Sequence, residues 1–388
     1  MHGLVFVFFL IFFGASLLAT VALYTRQAII VAYIVLGIVI GPHGLGLIDD
    51  VSTVNEISDI GIMFLLFLLG LNLEIESMLR VLGKSLFVCL VSSVVFVIVT
   101  VVVCYGFGFG AEGFIIGATL IFSSTIISLK LLPTTVLHHK RIGELVIAIL
   151  LIQDLLAIFM LTLVSLWSSQ SESFHIWALI KIILALPLLG GIAYLAQKYF
   201  LFALLRKFNR FQEYLFLVSI GWCLGMAQLA VYLGLSSGIG AFIAGVTLAS
   251  SPIAKYIYEN LKPLRDFFLI LFFSSVGAAF DVSLLPSVWG IVVVMTLVVL
   301  ILKPVLHFLT LWLVREPAKE SLEIGVRLGQ GSEFSLMLIF LITSAGLASA
   351  SAQIIVQAVS ILTFIISSYI VVLTYPNPIA VSDRLRRD

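Results

Sequence analysis

Apolar residues run through this chain in long blocks, and the polar residues between the blocks fall at short, regular intervals. A block of about twenty apolar residues predicts a helix that crosses a membrane; shorter blocks serve where a helix is broken or shielded by protein. Thirteen such segments are predicted, at 3–23, 28–41, 54–71, 84–106, 113–132, 143–167, 174–197, 213–233, 237–250, 261–278, 286–313, 320–345 and 351–374. Two of them, 28–41 and 237–250, are too short to cross upright, so they are expected to be re-entrant or shielded, and the count ranges from eleven to thirteen. The expected fold class is an all-α polytopic membrane protein of about 13 transmembrane helices.

The connecting segments alternate in charge. One set carries Arg26; Arg80 and Lys84; Lys130, Lys140 and Arg141; Lys198, Arg206, Lys207 and Arg210; Lys255, Lys262 and Arg265; Arg315 and Lys319; and Arg384, Arg386 and Arg387. The other set, 42–53, 107–112, 168–173, 234–236, 279–285 and 346–350, carries no lysine or arginine. Basic loops stay in the cytoplasm, which places the N-terminus outside and the C-terminus inside and favours an odd number of crossings. Trp167, Trp177 and Trp289 fall at outer helix ends and Trp312 at an inner end, as an aromatic belt requires. The first apolar stretch has no basic residue before it, so it reads as a membrane helix and not as a cleaved signal.

Composition agrees. The chain is 62% hydrophobic and 11% charged, where a soluble domain carries about a quarter charged residues. A net charge of +1 suggests no nucleic-acid partner; membrane lipid is the expected surround. Cys89, Cys104 and Cys223 lie apart inside apolar runs and read as small hydrophobes. No cofactor is expected in this chain.

The chain also repeats itself. The stretch Asp59 to Glu74 resembles Asp266 to Asp281, with acid, glycine (Gly70, Gly277) and acid at the same spacing, 207 residues apart. The short segments around Gly37 and Gly245 fall at nearly the same offset. The loop charges put Asp59 near the outer end of its segment and Asp266 near the inner end, so the copies run in opposite directions. The expectation is a single domain, 1–388, with inverted repeats at about 28–167 and 237–374. Inverted repeats place a transport site near the membrane centre on interrupted helices.

Two segments carry the marks of interruption. Ser123, Ser124 and Thr125 stand together mid-segment and can satisfy backbone groups where a helix unwinds. The run Arg327-Leu-Gly-Gln330-Gly331-Ser-Glu333-Phe-Ser335 is poor helix and good irregular backbone. Ser124 and Gly331 again differ by 207, so two unwound helices are expected to cross near the membrane centre. Ordinary small-residue helix packing is the plainer alternative.

Asp154 is the sharpest single feature. It lies near the middle of the apolar run Gly143 to Trp167, beside Gln153. A carboxylate at that depth costs about 2.5–3.5 kcal/mol and is kept where it faces protein or a water-filled cavity, usually to move an ion or a proton. A buried structural hydrogen-bonder is the alternative. The matching position in the second repeat is Ile361. One carboxylate can hold one proton or one monovalent cation, potassium or sodium, and competition for it implies one-for-one exchange. The cation's oxygens would come from Asp154, the Gln153 amide, the hydroxyls of Ser124 and Thr125, and carbonyls of the 123–128 break. Glu333 is open to three roles: joining the cation path, pairing with Lys303 or Arg327, or balancing a positive half-helix end, which is preferred. Arg327 lies six residues before it, off its face on an unbroken helix. Lys303 and His307 form an i, i+4 pair that is expected to snorkel toward the cytoplasmic interface. His138 and His139 read as an exposed basic loop.

At these residues the chain resembles the monovalent cation:proton antiporter-2 family, most closely the membrane domain of the glutathione-gated potassium efflux (Kef-type) antiporters. The stretches that carry the resemblance are Gly37 to Pro42, Phe64 to Glu74, Ser123 to Leu132, Leu151 to Leu155 and Gly329 to Phe334. It implies thirteen helices, a core domain moving against a dimerisation domain in a homodimer, alternating access of the elevator type, and a bacterial inner membrane. It carries the essential acid over to Asp154. The pair Gln153-Asp154 is typical of the potassium branch, which favours potassium over sodium. Kef-type proteins continue into a cytoplasmic nucleotide-binding regulatory domain. This chain stops at Asp388, so nucleotide and glutathione control are expected only through a regulatory domain or subunit beyond it.

Three rival functions fit the chain less well. A cation channel needs a ring of carbonyls or charges along an axis, which one acid in one repeat does not suggest. A sodium-coupled symporter of similar fold needs a pocket for a larger solute. An intramembrane aspartyl protease needs two facing aspartates, and Asp154 has no evident partner.

Overall fold

The structure, a computed structural model, describes residues 4–25, 27, 29–48, 52–71, 75–133, 141–168, 176–208, 210–251 and 253–377. The regular elements of those residues are helical. They are α1 Leu4–Tyr24, α2 Ile29–Ile40, α3 Ser52–Leu71, α4 Ile75–Gly106, α5 Glu112–Leu120, α6 Thr125–Lys130, α7 Arg141–Ser168, α8 Ile176–Ala196, α9 Phe202–Lys207, α10 Gln212–Tyr232, α11 Ser237–Ala249, α12 Ala254–Ala278, α13 Leu285–Leu313, α14 Ala318–Arg327, α15 Glu333–Ser344 and α16 Ala350–Thr374. A π-helical turn, Gln197–Leu201, joins α8 to α9.

Each apolar segment read from the sequence coincides with one helix or with a pair separated by a break. Among the described residues, seven helical segments are long and apolar enough to cross a membrane by length and composition, and α2, α11 and α15 are shorter apolar helices. Two helices start earlier than the apolar pattern indicates: α4 at Ile75 and α12 at Ala254. Backbone hydrogen bonding propagates through polar residues of fair helix propensity, so the hydrophobic edge does not mark the helix end.

The chain forms two compact units. One is assembled from segments 1–48, 75–157 and 276–388, the other from 49–74 and 158–275. In the first, α13 packs against α4, α14 and α16, and α5 against α4, α15 and α16. Phe96, Ile116, Leu120, Met295, Val299, Ile339, Ile355 and Val359 fill this core. A second cluster, around Val88, Leu145, Ile149, Leu311, Ile324 and Leu328, seats the first half of α7. In the second unit α11 packs against α3, α8 and α10.

Two glycine contacts hold the short helices. Within the second unit, a β-carbon on Gly70 or Gly245 would run into the facing backbone of α11 or α3. Within the first, a β-carbon on Gly277 would run into the Ile34 carbonyl and come 3.0 Å from Gly37 Cα. Close backbone approach of this kind is how helices gain contact where lipid supplies no hydrophobic drive. Gly70 and Gly277, like Gly37 and Gly245, are the positions matched in the sequence repeat, so the same joint is made twice.

An ion cluster ties three elements of the first unit together. Glu316, just past α13, accepts from Lys84 Nζ at 2.6 Å and from Arg141 at 2.8 and 3.0 Å. Its side chain is 3% exposed, whereas the two cations are 42% and 46% exposed. Hydrogen bonds from Arg141 hold the Glu316 carboxyl down from 4.5 to about 2. A depressed carboxyl stabilises the fold fully above its unfolded value of 4.5 and loses that contribution as pH falls through about 2. Glu316→Gln is expected to lower stability by about 1–3 kcal/mol at neutral pH, since it weakens or removes three charge-assisted bonds at a buried acceptor. Thermal unfolding at pH 7 and pH 3 checks this: the wild-type advantage should persist in part at pH 3.

Candidate functional site

The site is built on two interrupted helices of the first unit. The chain leaves α5 at Leu120 and re-enters helix at Thr125; it leaves α14 at Arg327 and re-enters at Glu333. The first break is therefore 121–124 and not 123–128, because Ser124 caps α6: its hydroxyl accepts from the Ile127 amide at 3.1 Å and starts the helix at Thr125. Ser332 does the same for α15, accepting from the Phe334 amide at 3.1 Å. Glu333 and Ser335 thus lie inside α15.

The breaks meet. Ser123 Oγ donates to the Leu328 carbonyl at 2.7 Å and Ser128 Oγ to the Arg327 carbonyl at 3.1 Å. Gln330 Nε2 donates to Ser128 Oγ at 2.8 Å. Small hydroxyls on one break and glycines beside Gln330 on the other permit this approach. Gly329 lies so close to Pro304 that a β-carbon would sit 2.7 Å from Pro304 Cγ.

Lys303 secures the crossing. It is 2% exposed, and its Nζ donates to the Phe122 and Gln330 carbonyls, one from each break, at 2.7 Å each. The snorkelling expectation is therefore overturned. Carbonyls past the ends of α5 and α14 lack intrahelical donors and carry partial negative charge, and one ammonium answers both. His307 is likewise buried and not interfacial, with Nδ1 2.8 Å from the Lys303 carbonyl.

Asp154 and Gln153 project from α7 onto the first break. Both are 1% exposed. The Ser123 amide donates to Gln153 Oε1 at 3.0 Å. Gln153 therefore spends one lone pair on holding the break open and keeps the other. Thr125 Oγ1 lies 3.2 and 3.0 Å from the two Asp154 oxygens, and its single proton serves one of them at a time. Glu333, 2% exposed, opens α15. An acid at a helix start complements the partial positive charge there. Arg327 and Lys303, the two cations considered as partners for Glu333, are engaged elsewhere. Arg327 bonds Glu323 at 2.8 and 3.0 Å and the Leu131 and Pro376 carbonyls at 2.8 Å each. The break lets α14 end with Arg327 turned back along its own helix, where Glu323 is one turn away.

Three contributors escaped the sequence reading. Ser128 bridges Gln330 and Arg327; Thr363 Oγ1 accepts from the Gly331 amide at 3.0 Å; and Ser367 Oγ donates to Gln330 Oε1 at 3.1 Å. Thr363 does for the second break what Gln153 does for the first. Single Ser or Thr residues in apolar helices give little signal, although Thr363 and Ser367 share a helical face. His138, His139 and Lys140, and the side chains of Asp59, Lys130 and Lys181, lie outside the described residues.

The arrangement sets one buried carboxylate, with the Thr125 hydroxyl on it and the Gln153 amide beside it in sequence, against the start of α6 and the first break. Such a set can hold one monovalent cation or one proton at Asp154.

Comparison with known proteins bears on this geometry. The sequence model of the family described as Sodium/hydrogen exchanger, transmembrane, matches residues 6–374. The chain is 26% identical over 351 residues to the iron transporter MagA of Paramagnetospirillum magneticum, covering 89% of this chain and 79% of that one. It is 30% identical over 330 residues to K(+) efflux antiporter 5 of Arabidopsis thaliana, covering 81% of this chain and 56% of the plant protein. The chain thus matches little more than half the length of that relative. The solved sodium proton antiporter MjNhaP1 from Methanocaldococcus jannaschii at pH 8 aligns with a TM-score of 0.72 at 18% identity, over 95% of this chain and 94% of that chain. An electron-microscopy structure of MjNhaP1 gives 0.61 at 18% identity, over 96% and 94%. At such identity the likeness is one of fold, and it agrees with the all-helical class read from the sequence.

Proposed function

The chain belongs to the transmembrane sodium/hydrogen exchanger family, a family of cation:proton antiporters, and we propose that it exchanges potassium for protons, one for one, with Asp154 holding either ion. The observation that carries this reading is the placement of Asp154: a buried carboxylate set against the start of α6, where the chain resumes helix after a break, with the Thr125 hydroxyl on it. The matching second-repeat position, Ile361, is apolar, so no second acid of that kind accompanies it. Exchange at one carboxylate moves no net charge.

Potassium rests on the pair Gln153-Asp154 and on the relative named for potassium efflux. Sodium/proton exchange is the second reading, favoured by the family description and the name of the solved structural neighbour. Alternating access in an inner-membrane homodimer, with the N-terminus outside and the C-terminus cytoplasmic, completes the proposal. Control by nucleotide or glutathione would belong to a regulatory domain or subunit.

The test is proton flux in proteoliposomes carrying an internal pH dye, on addition of external potassium or sodium. Coupled flux stronger for potassium supports the reading; flux stronger for sodium replaces it with the second; flux for neither removes both. Gln153→Asp is expected to change the cation preference or the charge moved per cycle, because it adds a second carboxylate beside Asp154 and shortens the acceptor of the Ser123 amide. An unchanged ion profile would take Gln153 out of the ion's reach.

A further inference from the structure

The inner face of α16 carries a polar stripe: Gln357, Ser360, Thr363 and Ser367, spaced three, three and four residues apart and 0–2% exposed. Spacing of that kind puts all four on one face. Two of them are spent on the second break, Ser367 on Gln330 and Thr363 on the Gly331 amide. The other two are not. Neither polar atom of Gln357 has a protein hydrogen-bond partner, nor does Ser360 Oγ. Ser360 is nonetheless at the break, its Oγ 3.1 Å from where a β-carbon on Gly331 would stand. Beyond Gly331 the chain turns into α15, which packs along α16, and there Ser335 Oγ is also without a protein partner and fully buried. Glu333, two residues past Gly331, opens α15 and is 2% exposed.

Buried amides and hydroxyls are costly when left unmet. A Gln and two Ser could each be an apolar residue at no loss to packing, as their neighbours in this core are. Amide and hydroxyl oxygens free of protein partners, on two helices that pack together near one acid in sequence, are the groups that bind a weakly hydrated monovalent cation.

We propose that Gln357, Ser360 and Ser335, with Glu333, form a second monovalent-cation site on the α15–α16 side of the crossing. It is a waiting position from which an ion passes to Asp154. Glu333 supplies the charge, and the amide and hydroxyl oxygens replace part of the hydration shell. The proposal rests on the exchanger reading for its role, though not for its binding, so the two are separable.

The experiment is cation-dependent thermal stabilisation of the purified protein, with choline chloride as the ionic-strength control, beside exchange kinetics in proteoliposomes. Potassium should still raise the Tm of Asp154→Asn protein. That residual shift should vanish when Gln357→Leu is added, since stabilisation by a ligand follows its occupancy. In otherwise native protein Gln357→Leu and Ser360→Ala should each raise the cation KM about tenfold, the loss of one ligand, with kcat little changed. Gln357→Asn, which keeps the amide, should restore part of the KM and stands in should Gln357→Leu fail to fold. No residual shift in Asp154→Asn protein overturns the second site. So does a Gln357→Leu protein that is more stable and has an unchanged KM, because that is what removing a merely strained polar group produces. Absence of coupled flux in the wild type, with the residual shift intact, would overturn the exchanger reading and leave the site standing.

Discussion

Asp154→Asn is expected to reduce cation-coupled proton flux to the leak of protein-free vesicles while the protein folds as before. Asparagine has the same shape and keeps an oxygen that can accept from Thr125 Oγ1, which lies 3.0 Å from the carboxylate. What it loses is the negative charge and the site for a proton. The buried surround, with Asp154 at 1% exposure, means that no water-borne base can substitute. The substitution also removes a carboxyl whose ionised form is costly when buried, so a stability equal to or above that of the wild type is expected. The pH-dye assay and a thermal melt on the same preparation check both halves. Retained coupled exchange in a well-folded Asp154→Asn protein would move the carrier role elsewhere, with Glu333 the next candidate.

The second large effect is structural. Lys303→Met should destabilise the first unit, because methionine fills the stem's volume and removes the donor that meets the Phe122 and Gln330 carbonyls. A buried carbonyl left unmet costs about 1–3 kcal/mol, and two are affected. In a helical membrane protein with no lipid hydrogen bonds to fall back on, that cost is not relieved by solvent. The expected result is a clearly lowered Tm. Because the lysine also holds the breaks that shape the Asp154 surround, exchange should fall with it. A Lys303→Met protein with wild-type Tm would mean that the break carbonyls find other donors.

The contrast between these two residues marks how far the sequence could be read. Asp154 is legible because its cost is local: one acid inside an apolar run declares itself whatever the fold. The segments are legible for the same reason, and the breaks nearly so, since Gly329 and Gly331 flank Gln330 and serines cluster at 123–124. Lys303 was visible as an anomaly, but its role was not. Its partners are backbone carbonyls 181 and 27 residues away, and a backbone carbonyl has no letter in the sequence. Nothing in the pattern says that two half-helices end at one point. The same holds for Arg327: the sequence put it off the face of Glu333 without supplying another partner, and in the structure it bonds Glu323, one turn back on α14. The early start of Thr125's helix was missed because a serine can either unwind a helix or cap one. Only the direction of the Ser124 hydroxyl, toward the Ile127 amide, decides.

The π-helical turn at Gln197–Leu201 sets the phase of the helix that follows it. A π turn holds one residue more than the α-helical register allows. That surplus residue rotates everything downstream by about 100° relative to an unbroken helix. At its first residue, Gln197 meets α11, donating to the Thr247 carbonyl and to Ser250 Oγ at 3.0 Å. Downstream, Arg206 and Lys207 are exposed. The turn works as a spacer of one amino acid between two faces, so removing a single residue there would keep the helix and exchange which side chains it shows to its neighbour and which to the outside.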